Sequence, residues 1–190
     1  ICYTACVACN QAPECSDPLA LICDPFERYS LADEVSPQAD WWQAVRPGED
    51  AVITNEQAYS PPQSLLLQEG GRKQTRLQLP AVSAAGMYQI TMRVLVPTGY
   101  GAGIALLPEV GIDPLYNLLW GTDAAGQAHL AGRGYALPSQ LNFAYQPDRW
   151  QEITLLIDPH RLRLRAFLNK QLLDETAFTR LPEYVQLYSP

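Results

Sequence analysis

The stretch MYQITMRVLV, residues 87–96, decides the fold class of this chain. Its apolar residues recur at every second position, a period that places successive side chains on opposite faces of an extended strand. The face predicted to be buried carries Tyr88, Ile90, Met92, Val94 and Val96. The opposite face carries Gln89, Thr91 and Arg93. The pattern predicts a long β-strand with one side in a hydrophobic core.

A second stretch, ITLLIDPHRLRLRAFL at residues 153–168, predicts a β-hairpin. Its first arm ends at the turn residues Asp158-Pro159-His160, and its second arm returns with leucines on one face and arginines on the other. Asn169-Lys170 follows where a further tight turn belongs, because asparagine tolerates the positive φ of such turns.

Short apolar runs separated by turn residues continue along the rest of the chain, a pattern typical of an all-β sandwich. Further candidate strands are residues 51–55, 64–68, 76–79, 103–107, 116–120, 128–131, 170–175 and 185–188. No long window holds a helical period. We therefore predict antiparallel sheets and at most short helices.

Composition and charge restrict the function. The 190 residues are 47% hydrophobic and 17% charged, which suits one globular domain with a sizeable core. A net charge of −7 argues against nucleic acid and anionic membranes as partners. No apolar run approaches the roughly 20 residues that span a bilayer. The chain begins at Ile1 without a signal-peptide pattern, so we expect a processed product or an expressed fragment.

The cysteines divide the chain into a leader, residues 1–25, and a domain, residues 26–190. All five lie near the start: Cys2, Cys6, Cys9, Cys15 and Cys23. Crowded cysteines beside prolines suit an oxidising compartment, so we predict an extracellular or cell-surface location. Internal disulfides are favoured over a metal site, because the second half of the leader lacks a C-x2-C pair. The odd count makes these cysteines candidates for a cross-link to another chain.

Several motifs resemble those of a known group of domains. They are DPFERY at residues 24–29, VSPQ at 35–38 before Trp41-Trp42, AVITNEQAYS at 51–60, SLLL at 64–67, GMY at 86–88, VLVPTG at 94–99, and WQEI at 150–153 running on to Leu168-Asn169. In these motifs the chain is similar to the concanavalin A-like (laminin G-like) jelly-roll modules of secreted and surface proteins of Bacteroidetes-type bacteria.

The resemblance implies an all-β, two-sheet antiparallel jelly-roll sandwich behind a short Cys-rich N-terminal leader. In some relatives the concave face binds sugars. The chain departs from the pattern at Lys170, where a glycine is usual, and after Tyr188, where many relatives continue through another strand. We therefore expect an open sheet edge that could accept a strand from a neighbour.

The sequence predicts no catalytic residues. Glycanases of this superfamily carry a strand motif such as Glu-x-Asp-x-Glu, which is absent here. The two histidines, His129 and His160, are not accompanied by a G-x-S-x-G nucleophile elbow. His160 is expected to be exposed in a turn, and His129 to be structural. We predict a protein that is not an enzyme and needs no cofactor or metal.

Aromatic residues are candidates for a sugar platform, because a ring face stacks on the C–H groups of a pyranose. The main candidates are Trp41, Trp42, Tyr100 and Trp120, with Tyr116 and Tyr135 in addition. The competing interpretation for each is a place in the core. Adjacent residues of an extended strand point to opposite sides, so one ring of the Trp41-Trp42 pair is expected at a surface. A calcium site formed by Asp113, Asn117 or Asp123 is also conceivable, but the spacing of these residues matches no recognisable calcium-binding loop.

The row Arg161, Arg163 and Arg165 is a candidate interface, weighed against an ordinary solvated strand face. In an acidic chain, such a basic row favours head-to-tail self-association. The sequence thus predicts a non-catalytic extracellular module for surface attachment or for assembly with other protein chains into a larger extracellular structure. The alternative is a carbohydrate-binding module that uses aromatics of a concave face, with a glycan as the partner.

Overall fold

The structure, a computed structural model, describes residues 2–5, 24, 26–58, 63–67, 73–80, 86–122, 128–132 and 139–189, with the backbone alone at 2–5, 122, 128–132 and 139–143. Its strands are β1 (Cys2–Ala5), β2 (Trp42–Ala44), β3 (Val52–Thr54), β4 (Ser64–Leu66), β5 (Gln74–Gln78), β6 (Tyr88–Leu95), β7 (Ala102–Leu107), β8 (Tyr116–Thr122), β9 (Ala128–Gly132), β10 (Ser139–Phe143), β11 (Trp150–Asp158), β12 (Arg163–Leu168), β13 (Gln171–Ala177) and β14 (Tyr184–Tyr188). A short 3-10 helix covers Ser36–Gln38.

Within the described residues the strands form two seven-stranded sheets, and every pairing is antiparallel. The first sheet has the order β13-β12-β11-β6-β1-β4-β3, and the second has the order β10-β9-β8-β7-β14-β5-β2. Buried side chains from both sheets form one continuous core, so the sheets pack face to face. The predicted all-β antiparallel jelly-roll sandwich is confirmed.

The strand that decides the fold, β6, has the predicted alternation. Ile90, Met92 and Val94 are buried in the core, and Gln89 on the opposite face is exposed, but Thr91 on that face is also buried. β6 pairs with β11 over its whole length, and Ile153 lies opposite Met92 with its side chain in the same core. Full burial of one such aliphatic or methionine side chain contributes about 1.5–3 kcal/mol.

The predicted hairpin and the turn after it are also present. β11 and β12 pair from Ile153–Leu168 to Asp158–Arg163. Asn169 and Lys170 have φ of 48° and 69°, the left-handed conformation that a two-residue hairpin turn requires. The side chain of Asn169 also accepts a hydrogen bond of 2.9 Å from the backbone N–H of Glu152. Lys170 therefore adopts the positive φ for which a glycine is usual.

The expectation of an open edge after Tyr188 is wrong. β14 lies inside the second sheet, where it pairs with β5 on one side and with β7 on the other. In the described part of the chain, the edge strands are β13 and β3 in the first sheet and β10 and β2 in the second. Both hydrogen-bonding sides of β14 are therefore used within the chain.

The first residues of the predicted leader belong to the first sheet. β1 pairs with β6 and with β4, and so contributes an interior strand. Cys2 lies in this strand, and the other four cysteines lie outside the described residues. The predictions of disulfides, of a cross-link and of a division at residue 25 therefore stay predictions.

Candidate functional site

The aromatic residues predicted as a sugar platform lie in different parts of the fold. Trp42 and Trp120 are 2% and 1% exposed and belong to the core, and Tyr116 is likewise buried. Tyr100 is exposed just before β7, and Trp41 is half-buried against the core. Because their ring faces are covered, Trp42 and Trp120 offer no surface to a ligand.

Trp41 and Trp42 instead share one buried carboxylate, that of Asp24, which is 1% exposed. Its Oδ2 accepts hydrogen bonds from the indole of Trp42 at 2.7 Å, the indole of Trp41 at 3.0 Å and the hydroxyl of Tyr29 at 2.6 Å. Its Oδ1 accepts one from the backbone N–H of Phe26 at 3.1 Å. Trp41 lies in a turn before β2, so the alternation expected of a strand does not apply to this pair. We call these five residues the Asp24 cluster.

Arg28 adds a positive charge beside the Asp24 cluster. Its guanidinium carbon lies 5.0 Å from the ring centre of Trp41 and 5.4 Å from that of Tyr29, within the range of cation–π contacts. The hydrogen bond with the Tyr29 hydroxyl raises the pKa of Arg28, and the charge of Asp24 adds to this effect. A depression of about 420 Å³ opens beside Arg28 and Trp41. The guanidinium already occupies a face of the Trp41 ring, so we interpret the cluster as a structural anchor.

Tyr29 links the Asp24 cluster to stability at alkaline pH. Burial raises the pKa of the Tyr29 hydroxyl above its ordinary value of 10.0, and the hydrogen bond to Asp24 raises it further. Burial also raises the pKa of Tyr145. Folded chains therefore keep these protons at pH values where unfolded chains lose them. The resulting contribution to stability is fully present below the ordinary pKa of about 10; it begins to fall there and keeps falling until the pH passes the raised pKa of the folded chain.

We accordingly expect the free energy of unfolding to fall between about pH 9 and about pH 11, and to fall less steeply in the Tyr29→Phe variant. Each tyrosine that stays protonated only in the folded chain contributes up to about 1.4 kcal/mol per pH unit to the slope. Urea denaturation at a series of pH values measures it. Comparing the two proteins cancels the titration of groups that they share, and equal slopes would contradict this account.

The predicted row Arg161, Arg163 and Arg165, called the arginine stripe from here on, lies beside carboxylates of its own chain. Arg163 Nη1 is 2.8 Å from Glu175 Oε1, and Arg165 Nε is 3.0 Å from Glu175 Oε2. These hydrogen bonds hold the pKa of the Glu175 carboxyl below its usual value, so it remains ionised into the acid range. Arg161, in the preceding turn, is 3.9 Å from Asp158. An interface through the stripe stays a prediction, but its charge is partly balanced within the chain.

The two histidines and the remaining candidate residues from the sequence form no catalytic arrangement within the described part of the chain. His160 is exposed in the turn after β11, where its backbone N–H donates to Asp158. His129 lies in β9, and Tyr135 and Asp123 lie outside the described residues. Among the described residues, no group of three or more His, Cys, Asp or Glu could hold a metal ion. None of the helices found there is long and apolar enough to cross a membrane.

A polar surface that sequence analysis did not identify covers the outer side of the second sheet. Along β5 and β14 the side chains alternate: Thr75, Leu77, Val185 and Leu187 are buried under the sheet, and the residues between them point outward. We call the outward-pointing set the polar face. It consists of Gln43, Gln74, Arg76, Gln78, Asn117, Tyr184, Gln186 and Tyr188.

The polar face is built around a central row that crosses five neighbouring strands in register. In order, its positions are Asn117 on β8, the small apolar Ala105 on β7, which is not part of the polar face, Gln186 on β14, Arg76 on β5 and Gln43 on β2. Neighbouring strands lie about 4.8 Å apart, so the row is roughly 19 Å long. Directly opposite side chains on neighbouring strands are close enough to act on one ligand together.

Hydrogen bonds between amides orient the side chains of the polar face. Gln43 Nε2 donates to Gln78 Oε1 at 2.9 Å, and Gln186 Nε2 donates to Gln74 Oε1 at 3.0 Å. Among the described residues, the Oε1 atoms of Gln43 and Gln186 and the Nε2 of Gln78 have no hydrogen-bond partner. The amides are thus held in place while acceptors and a donor remain available.

Tyr188 crosses the neighbouring strand β7 at Gly103. A Cβ atom at Gly103 would overlap the ring of Tyr188, so glycine is what lets the ring lie against the strand. Beyond it, the Tyr188 hydroxyl donates a hydrogen bond of 2.7 Å to Asn117 Oδ1 on β8. The ring of Tyr188 therefore has a fixed place beside the central row.

Arg76 carries the positive charge of the central row. It is 8% exposed, and its guanidinium carbon lies 5.8 Å from the ring centre of Tyr184. Its Nε is buried without a hydrogen-bond partner, and no described carboxylate forms an ion pair with it. The acidic residue that joins this network, Glu49, lies 3.2 Å from Gln74 Nε2 and 3.7 Å from Arg46.

The sequence contains a local signal for the polar face. β5 reads QTRLQ and β14 reads YVQLY, and both alternate polar or aromatic residues with buried ones. The sequence pattern predicts strands at both places. It could not predict that they pair, because Gln74 and Gln186 are 112 residues apart.

No protein-family model matches the chain, and no curated protein matches it. Among solved structures, it is similar to the Emp47p carbohydrate recognition domain, with a TM-score of 0.48, 14% identity, and coverage of 83% of this chain and 82% of that one. It is also similar to the carbohydrate-binding module CBM66 from Bacillus subtilis, with a TM-score of 0.43, 10% identity, and coverage of 78% and 89%. A third is the Crh5 transglycosylase, with a TM-score of 0.43, 13% identity, and coverage of 79% and 63%. Likenesses this weak do not transfer a function.

Proposed function

We propose that the chain is a carbohydrate-binding module and that the polar face is its glycan-binding surface. The observation that carries this proposal is the central row, in which two glutamine amides flank Arg76 across three paired strands. Amide side chains both donate and accept hydrogen bonds, as sugar hydroxyls do. Tyr184 and Tyr188 add ring surface with a polar end, which suits the mixed character of a sugar.

The rigidity of the polar face supports the same function. Its side chains stand on hydrogen-bonded strands rather than on loops, and the Gln43–Gln78 and Gln186–Gln74 pairs limit their rotation. Side chains that are already ordered lose less entropy when a ligand binds. A face of this kind needs little rearrangement to hold a flexible polymer.

We propose binding rather than hydrolysis. Glycoside hydrolysis usually requires two carboxyl groups that flank the bond to be cleaved. In the described part of the chain, the polar face contains no carboxylate, and Glu49 lies at its margin in contact with Gln74 and Arg46.

Glycan binding fits the surface attachment predicted from the sequence, because a module of this kind can hold a chain on a glycan-coated surface. The extracellular location remains part of the proposal and is supported by the cysteine-rich leader. Assembly with other chains through the arginine stripe has less support, since Arg163 and Arg165 already contact Glu175.

The Gln186→Ala variant tests the proposal. Gln186 lies at the middle of the central row, and removal of its amide is expected to weaken glycan binding about five- to tenfold, the effect of one net hydrogen bond. Affinity electrophoresis in native gels that contain soluble polysaccharides, neutral and acidic, measures the retardation.

The matched control is Gln89→Ala. Gln89 is an exposed strand glutamine on the outer side of the first sheet, and its amide also bonds a neighbour, Thr91 Oγ1 at 3.0 Å. This variant should be retarded like the unchanged protein. Equal losses in the two variants would place the binding surface elsewhere, and no retardation of the unchanged protein in any gel would contradict the proposed function.

A further inference from the structure

We infer that the glycan held by the polar face carries carboxylate groups, as polymers of uronic acids do, and that Arg76 binds such a carboxylate. The inference rests on the proposed function and names the class of ligand. It comes from one unusual feature of the polar face, a desolvated arginine that lacks an anionic partner in the described part of the chain.

The burial of Arg76 is costly in the absence of an anion. A charged group removed from water is destabilised unless hydrogen bonds or an opposite charge replace the solvent. Arg76 is 8% exposed, its Nε bonds no described group, and the ring of Tyr184 provides only a cation–π contact. A carboxylate from a ligand would supply the missing charge at the part of the guanidinium that is still exposed, whereas the buried Nε lies out of its reach.

The surroundings of Arg76 favour a carboxylate attached to a sugar. Tyr184 lies against the guanidinium. A planar guanidinium can donate two parallel hydrogen bonds to one carboxylate, here from its two Nη groups because the Nε is buried. Gln186 and Gln43 stand directly opposite Arg76 on the two neighbouring strands. Their amides can bond the sugar hydroxyls on either side of an acidic group. A free carboxylate ion has no such hydroxyls, so these amides favour a carboxylate that is part of a sugar.

The small number of positive charges on the polar face further restricts the class of acidic glycan. The polar face has one arginine in a row roughly 19 Å long, in a chain whose net charge is −7. A densely sulfated polymer needs many cations to offset repulsion from such a chain. One arginine between amides fits a glycan with spaced carboxylates and free hydroxyls.

The experiment compares each acidic polymer with its own neutral form. Polygalacturonate and alginate serve as probes, each beside a carboxyl-reduced preparation in which the uronic acids have become neutral hexoses. For the unchanged full chain, we expect reduction to weaken binding about tenfold to a hundredfold, because a charge-assisted pair is lost. This comparison does not depend on the folding of any variant.

Variants then test whether Arg76 causes the preference for the acidic polymer over its carboxyl-reduced form. Arg76→Gln should bind acidic and reduced polymers equally, at the weaker level, and Arg76→Lys should recover only part of the preference because lysine lacks the planar fork. Arg163→Gln removes the same charge from the first sheet and should keep the full preference. Circular dichroism and thermal melting verify that each variant is folded.

The outcomes separate this inference from the proposed function. Equal binding of acidic and reduced polymers by the unchanged chain, or a preference that survives in Arg76→Gln, would overturn the inference. So would binding of neutral glycans alone; if Gln186→Ala weakens that binding, the proposed function stands. Failure to bind any glycan would overturn both.

Discussion

Replacing Asp24 with alanine is expected to lower the free energy of unfolding by about 3–5 kcal/mol. The carboxylate accepts four hydrogen bonds at a site that is 1% exposed. Alanine would leave the indole N–H of Trp42 and the hydroxyl of Tyr29 without that acceptor in a buried site, and would leave Arg28 without its neighbouring negative charge. Each orphaned buried donor costs about 1–3 kcal/mol, although the losses do not add fully.

Guanidinium denaturation followed by tryptophan fluorescence measures this change. Asp40→Ala is the control, because Asp40 is an exposed carboxylate one residue before Trp41 and its loss should change stability by no more than about 0.5 kcal/mol. Asp24→Asn keeps the size and one acceptor oxygen, and should fall between the two. A loss below about 1 kcal/mol in Asp24→Ala would show that the carboxylate does not anchor the cluster.

The Gly103→Ala variant is expected to affect both stability and glycan binding. The added methyl group would overlap the ring of Tyr188, so the ring or β7 must move. Overpacking of this kind costs about 1–3 kcal/mol. Displacement of the ring would also break the hydrogen bond from Tyr188 to Asn117 at one end of the central row. We therefore expect a lower melting temperature together with weaker retardation by glycans.

Gly121→Ala provides a matched control for this change. Gly121 lies on the adjacent strand β8, and a Cβ atom there would meet no atom of the described residues within 4 Å. This variant should melt close to the unchanged protein and bind glycans equally well. If both variants behave alike, the close packing of Tyr188 on Gly103 does not support the polar face.

The sequence predicts the strands well where one face is buried. β11 and β12 follow the predicted alternation, and β6 buries the predicted core face, because strand pairing and core burial select the same residues. β2 was not predicted, since Trp41-Trp42 gives no alternating pattern. Its position depends on hydrogen bonds to Asp24, 18 residues from Trp42, which no local pattern reveals.

The candidate site was less predictable than the fold. Aromatic content pointed to Trp42 and Trp120, but the sandwich uses both to fill its core. The polar face is made instead of glutamines and one arginine that are unremarkable in their own segments. Register brings them together: Gln43 meets Arg76, and Arg76 meets Gln186, only when three distant strands pair.

The interior position of β14 determines when the polar face can first exist during synthesis of the chain. The ribosome completes β5 and β7 long before residues 184–188, and β14 pairs with both of them. Until then, β5 and β7 lack their shared partner, and their facing edges expose unpaired N–H and C=O groups that can pair with other chains. Joining such distant segments is also intrinsically slow. A nascent chain that ends before β14 should therefore fail to bind glycans and require protection from aggregation.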